Sequence, residues 1–292
     1  MSKGIIYLLR RKLQIAASYF LSKETLSKIY FKIVLGEKLN LDNPKTFNEK
    51  IQWLKLYEWP NNELAIKCAD KYAVREYVKS CGYEELLNDL YGVWDNADDI
   101  NWAELPDRFV LKCNHGCGYN IICPDKSKLD EKSTKKQLNK WLKEDFGRFN
   151  IEPHYSKIKP KIICEKFLGG NMVDYKFYFF NGVFQFMYIA QGFGFGVDES
   201  ITFFDENGNK APFRRTDYPE FVNAQLPECY DEMLDISKKF AQDFPFVRVD
   251  LFENNNKIYF SELTFTPCGG MMRISPKEYD DIIGGRLELM VK

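Results

Sequence analysis

Two hydrophobic periods run through the chain, and the switch between them falls near residue 90. Before it the spacing is helical. Ile5, Leu9, Leu13, Ala16 and Phe20 form one stripe beside Arg10, Arg11 and Lys12. Thr46-Phe47-Asn48-Glu49 is a capping box, in which threonine and glutamate satisfy each other's free backbone donors. Phe47, Ile51 and Leu54, with Trp53 and Tyr57 nearby, give the helix that follows an apolar side. Asp70 is placed to cap a further helix carrying Val74, Tyr77, Val78 and Cys81.

Beyond residue 90 apolar positions alternate. Strands are expected at 90–94, 108–113, 120–123 and 161–165, with a short helix at 98–104 and a charged, exposed one at 133–146. Segments 174–180 and 183–190, joined by Asn181-Gly182, make the clearest hairpin, because a two-residue turn needs positive φ. A mobile loop at 192–196, a strand at 201–204 and a helix marked by Met233, Ile236, Phe240 and Ala241 follow. Strands at 246–252 and 257–265 close the series, joined by Asn254-Asn255-Asn256, since Asn tolerates left-handed backbone angles. The pattern predicts an α+β chain with antiparallel sheets: a mainly helical region over 1–88, then a core over 89–292.

Composition narrows function by exclusion. With 292 residues, 45% hydrophobic and 28% charged, the chain is an ordinary globular protein with enough length for a real core. A net charge of −1 lacks the broad phosphate neutralisation that nucleic-acid binding needs, so no nucleic-acid partner is expected. The 24 Phe and 17 Tyr fit packed sheets better than a sugar-facing surface. Eight Cys without a secretory signal are expected to be reduced thiols in the cytoplasm. Residues 1–38 carry eight Lys or Arg against two Glu. Their helical stripe has two readings: a terminal helix packed on the domain, or one lying on an anionic membrane or membrane-bound partner.

Candidate chemistry concentrates in the last hairpin. Arg248 and Asp250 share one strand face, Glu262 and Thr264 share another, and Gly269-Gly270 follow. A turn centred on Asn255 sets Arg248 opposite Glu262, with Asp250 one step away. Hard carboxylate oxygens suit Mg²⁺, which takes one or two carboxylates plus substrate phosphates. Earlier, Lys112 ends a strand before Asn114-His115-Gly116-Cys117-Gly118, a strand–lysine–glycine-loop order in which a point charge and backbone N–H groups can meet phosphates. Cys113, His115, Cys117 and Cys123 lack the second knuckle of a zinc site, so zinc is not expected. Glu165-Lys166-Phe167-Leu168 ends an apolar strand that either offers backbone groups to an adenine ring or is an ordinary buried strand with a solvated Glu-Lys pair, and Asp174 and Lys176 share the next strand's face.

In this order the elements resemble the ATP-grasp superfamily, and more narrowly its TupA-like family. Thr46-Phe47-Asn48-Glu49-Lys50-Ile51-Gln52-Trp53, Asp70-Lys71-Tyr72-Ala73-Val74, Lys112-Cys113-Asn114-His115-Gly116 and Glu262-Leu263-Thr264-Phe265 carry the likeness, over roughly residues 41–289. The resemblance implies two α+β lobes clasping ATP, the smaller about 105–168 and the larger about 169–292. It implies that Lys112 and Lys176 bind phosphates beneath the loop of Asn114, His115, Gly116 and Gly118, and that Glu165, Lys166, Phe167 and Leu168 line the adenine pocket. Asp250, Glu262 and Thr264 would hold Mg²⁺, Arg248 would face the transferred phosphoryl group, and Gly269 and Gly270 would offer backbone donors to developing charge. The common superfamily pattern has Asn where this chain has Thr264. The activity implied is an ATP-dependent carboxylate–amine ligase of bacterial surface-polysaccharide synthesis, acting on a carboxylate-bearing sugar precursor and an amine. Sugar kinase, glycosyltransferase-associated enzyme and non-catalytic nucleotide-binding scaffold are the alternatives.

Overall fold

The computed structural model describes residues 14–169, 172–192 and 199–289. Ile5, Leu9 and Leu13 of the first stripe, and most of the expected loop at 192–196, lie outside them. Residues 14–20 are helical. Ser22 then caps α1 (Lys23–Leu35) by accepting from the Thr25 N–H at 3.1 Å, and Gly36 ends it at φ 78°. Such an angle suits glycine because it has no Cβ to clash. Helix α2 (Phe47–Trp53) begins with the predicted capping box. Thr46 Oγ1 accepts from Glu49 N at 3.1 Å, while Glu49 Oε2 accepts from Thr46 N at 3.2 Å. The helix runs on into a π turn at Leu54–Glu58. Two short helices, α3 (Glu63–Ala69) and α4 (Val74–Ser80), complete the helical region.

The first sheet is antiparallel, in the order β1 (Leu90–Trp94), β4 (Ile162–Lys166), β2 (Phe109–Cys113), β3 (Asn120–Cys123). Strand β1 enters it from upstream of residue 105. Alternation sorts its faces. Phe109, Leu111 and Cys113 are buried in a core shared with Leu138 and Phe146, while Val110 and Lys112 are left half-buried on the other side. Leu138 belongs to α5 (Glu131–Trp141), capped by Asp130, and Phe146 opens α6 (Phe146–Asn150). The segment expected as one helix at 98–104 is two 3₁₀ turns, Ala97–Asp99 and Trp102–Glu104. Asn96 and Asn101 each cap a turn of their own, and a single helix has one cap.

The second sheet has five antiparallel strands in the order β10 (Lys257–Thr264), β9 (Phe246–Asn254), β5 (Val173–Phe180), β6 (Val183–Gln191), β7 (Ser200–Asp205). A two-residue ladder pairs β8 (Arg214–Arg215) with β11 (Ile274–Ser275). Asn181 and Gly182 take φ 48° and 78°, the left-handed pair that the β5–β6 turn requires. On one face Met233, Ile236 and Phe240 of α7 (Tyr230–Ala241) are buried. On the other, the Phe47 ring of α2 stacks 5.6 Å from Phe180 and lies 5.8 Å from Phe246. The aromatic surplus therefore fills sheet cores, and the helical region shares the second sheet's core. Helix α8 (Glu278–Gly285) crosses the start of α2 so closely that a Cβ on Gly284 would meet the Lys45 carbonyl at 2.3 Å.

Candidate active site

The β9–β10 hairpin is the first element to build. Asn255 and Asn256 both take left-handed angles, φ 53° and 59°, so the turn contains two residues and Lys257 pairs with Asn254. That offset alone would put Glu262 on the sheet face opposite Asp250. A bulge at Ser261 absorbs one residue and restores the face. The burial pattern records the switch: Ile258 and Phe260 are buried before it, Leu263 after it. The expected register is thereby corrected: Glu262 lies opposite Asp250, and Arg248 opposite Thr264.

Around this pairing, charges close on one another. The Arg248 guanidinium donates to both Asp250 oxygens at 2.6 Å, to Glu262 Oε1 at 3.2 Å and to Thr264 Oγ1 at 2.9 Å. The Thr264 hydroxyl in turn donates to Glu262 Oε1 at 3.0 Å. Lys176, placed opposite Asp250 by the β5–β9 register, donates to Asp250 Oδ2 at 2.6 Å and lies 3.7 Å from Asp174. Burial alone would lower Lys176, but Asp174, Asp250 and Glu262 outweigh it and raise its pKa. Burial raises Asp174, with Lys176 opposing. Glu262 feels burial most, yet Lys71, Arg248 and Lys176 together bring it down to about 2, so it is ionised at neutral pH. With Lys71 4.0 Å from Glu262, three bases face three acids and the cluster is close to neutral.

Lys71 shows what sequence reasoning overlooked. Its family motif was legible, but its role was not. Its N–H donates to Asn114 O at 3.2 Å and its ammonium to Gly116 O at 2.6 Å, so it ties the glycine loop of the first sheet to Glu262 of the second. Asp70 beside it accepts from the N–H groups of Tyr72 and Ala73 and from Asn114 Nδ2 at 2.9 Å.

A cavity of about 250 Å³ opens between the two sheets, lined in part by Lys71, Arg75, Lys112, Asp174, Phe252 and the whole run from Glu165 to Gly169. Lys112 donates to Glu165 Oε2 at 2.6 Å, and Arg75 lies 3.6 Å from Oε1 of the same carboxylate. Phe167 packs under the Arg108 guanidinium, 4.6 Å from its ring centre. A second cavity, of about 660 Å³, lies across the charge cluster. Lys176, Arg248 and Glu262 line it together with Tyr188, Arg215, Asp217, Tyr218, Cys268 and Arg273. The two cavities share no lining residue.

The expected loop and turn residues are held by contacts of their own. Asn114 and His115 are buried beneath the loop. Asn114 accepts from Lys161 N at 2.6 Å besides its bonds to Asp70 and Lys71, and His115 Nε2 meets Trp141 O at 3.1 Å within its own lobe. Gly116 is glycine for packing, since a Cβ there would lie 2.7 Å from the Phe146 ring; Gly118 takes φ 76°. The Gly269 N–H donates to Thr266 O. The carbonyls of that turn are clamped from α2 and its π extension: Gln52 donates to Gly269 O and Gly270 O, Lys55 to Gly269 O, and Trp59 to Phe265 O. Asn48 bonds both the carbonyl and the N–H of Met272. The conspicuous helix motif is thus a polar ladder that fixes the wall of the larger cavity.

Among the described residues no group of three or more His, Cys, Asp or Glu is placed to hold a metal ion. Asp250 and Glu262 lie side by side across the hairpin, two hard-oxygen groups of the kind that would suit a Mg²⁺ shared with phosphates. Glu262 has the freer oxygen, since both Asp250 oxygens already accept from Arg248 or Lys176.

Two antiparallel lobes separated by a lysine-lined cleft, with a carboxylate hairpin at its floor, are the arrangement of the ATP-grasp fold. The profile of the TupA-like ATPgrasp family matches residues 49–288, and the chain belongs to that family. Solved structures with a similar fold include D-alanine–D-alanine ligase from Bacillus anthracis complexed with ATP (15% identity, TM-score 0.43, 69% of this chain and 57% of that one). L-amino acid ligase from Bacillus licheniformis is another (13%, 0.48, 84% and 56%), and phosphoribosylamine–glycine ligase from Thermotoga maritima a third (13%, 0.44, 82% and 61%). The chain therefore spans 56–61% of the length of each of these proteins. No curated protein matches it.

Proposed function

We propose that the protein is an ATP-dependent ligase that joins a carboxylate to an amine through an acyl phosphate. The observation that carries this reading is the charge-balanced cluster standing between two separate cavities. Nucleotide on the side of Lys112 and residues 165–169 would direct its terminal phosphate at the cluster, with the acceptor meeting it from the side of Arg215 and Arg273. A carboxylate oxygen of the acceptor attacks the γ-phosphorus and ADP leaves. The amine nitrogen then attacks the acyl carbon, expelling phosphate and losing a proton. Asp250 and Glu262 fit Mg²⁺, which when bound would neutralise phosphate charge. The remaining work falls to the chain's own groups. Lys112 and Lys176 supply positive charge to the phosphates, Arg248 faces the transferred group, and Thr264 orients Glu262.

The acceptor we propose is a carboxylate-bearing sugar of a bacterial surface polysaccharide. The cavity's basic lining and its tyrosines, Tyr188 and Tyr218, support that choice. The test is mass spectrometry of products from ATP, Mg²⁺ and pooled uronic and amino acids. A ligase releases ADP and phosphate and yields an amide. Phosphate retained on the acceptor would instead make it a kinase, and ATP bound without turnover a scaffold. Glu262→Gln is expected to abolish turnover; unchanged turnover would remove Glu262 from the mechanism.

A further inference from the structure

Helix α1 carries an exposed face that the site does not use. Thr25, Lys28, Ile29, Lys32, Ile33 and Gly36 recur at three- and four-residue spacing, and all are exposed. Ile33 is 71% exposed, and Phe20, just before the helix, 87%. Leu26 and Phe31 bury the opposite side against Leu39, Leu41 and Leu56. Apolar side chains flanked by lysines on a helix already anchored by its other face are the pattern of an element that lies in a lipid interface. Val34, the residue after Ile33, lines the larger cavity. The chain preceding this face adds Lys3, Arg10, Arg11 and Lys12 and no acid before Glu24.

We infer that this face docks on an anionic lipid bilayer and sets the larger cavity beside the lipid surface. Charge complementarity selects that occupant. A second copy of the chain, meeting the first across a two-fold axis, would set Lys28 and Lys32 against the same lysines. The N-terminal segment carries the same sign and is repelled as well. An anionic headgroup layer attracts both, and the isoleucines and Phe20 enter beneath it. No helix among the described residues is long and apolar enough to cross a membrane.

The test uses the full chain without nucleotide, sedimented with phosphatidylcholine vesicles, with and without phosphatidylglycerol. Binding is expected only with phosphatidylglycerol and is weakened by salt. Lys28→Ala with Lys32→Ala should weaken it about thirtyfold, the equivalent of about 1 kcal/mol per lysine at an anionic surface. Phe20→Glu with Ile33→Glu should abolish it while leaving the circular dichroism spectrum unchanged. Absence of binding, equal binding to neutral vesicles, or retention by the glutamate variant overturns the inference. So does a dimer in solution that Ile33→Glu disperses.

Discussion

Among the described residues His154 is a buried side chain with both of its polar atoms unpartnered. Its burial is complete and pushes its pKa down to about 3. Its sign follows directly. Between pH 6.5 and 3 the unfolded chain binds a proton that the folded chain refuses, so stability falls with pH by up to about 1.4 kcal/mol per unit. Above that window His154 contributes nothing. Glu262 acts in the same direction, since its stabilisation is present above about pH 4.5 and is lost as pH falls toward 2. Urea unfolding across pH should therefore show a steeper acid loss for the native chain than for His154→Leu. Equal slopes would mean that the ring is protonated in the folded protein. At this scale the sequence was half legible. Lys112 and Glu165 could be picked out because alternation fixes which way a strand side chain points. Asn114, His115 and Lys71 stand out in the motifs, but where their side chains point does not, because loop and helix-end side chains take their direction from partners far away in the chain.

Elements were easier to place than their registers. Both hairpins of the second sheet were visible from alternation and Asn-rich turns, yet the β9–β10 pairing shifted because two asparagines form the turn and Ser261 bulges. A bulge leaves no mark in hydrophobic pattern beyond a change of parity, here Phe260 to Leu263. The α2 motif was equally visible, and only the structure reveals what it grips. Gln52→Ala should remove the donor to the Gly270 carbonyl and cost about 1–3 kcal/mol, the usual penalty for a buried acceptor left unsatisfied. Because Gln52 touches the turn and lines neither cavity, the variant should also speed alkylation of Cys268 on that turn. Unchanged labelling would show that the turn holds itself.

For the molecule as a whole, the helical region cannot be a separable module. Phe47, Ile51, Trp59 and Val78 belong to the same core as Phe180, Phe246 and Phe265. A chain beginning at residue 89 would lose large buried side chains, each worth about 3–5 kcal/mol, against a total stability of about 5–15 kcal/mol. It should fail to unfold cooperatively on heating, whereas a sharp transition would mean the second sheet suffices alone. The separation of the two cavities has a kinetic corollary. With no lining residue in common, the body of each proposed occupant sits in its own cavity and the two meet only at the charge cluster. On the proposed function nucleotide and acceptor should therefore add in random order: a dead-end analogue of each should compete only with its own substrate, and isotope trapping should find each substrate able to dissociate from the ternary complex first. A compulsory order, with one substrate trapped until the other departs, would require the lobes to close in a way this arrangement does not impose.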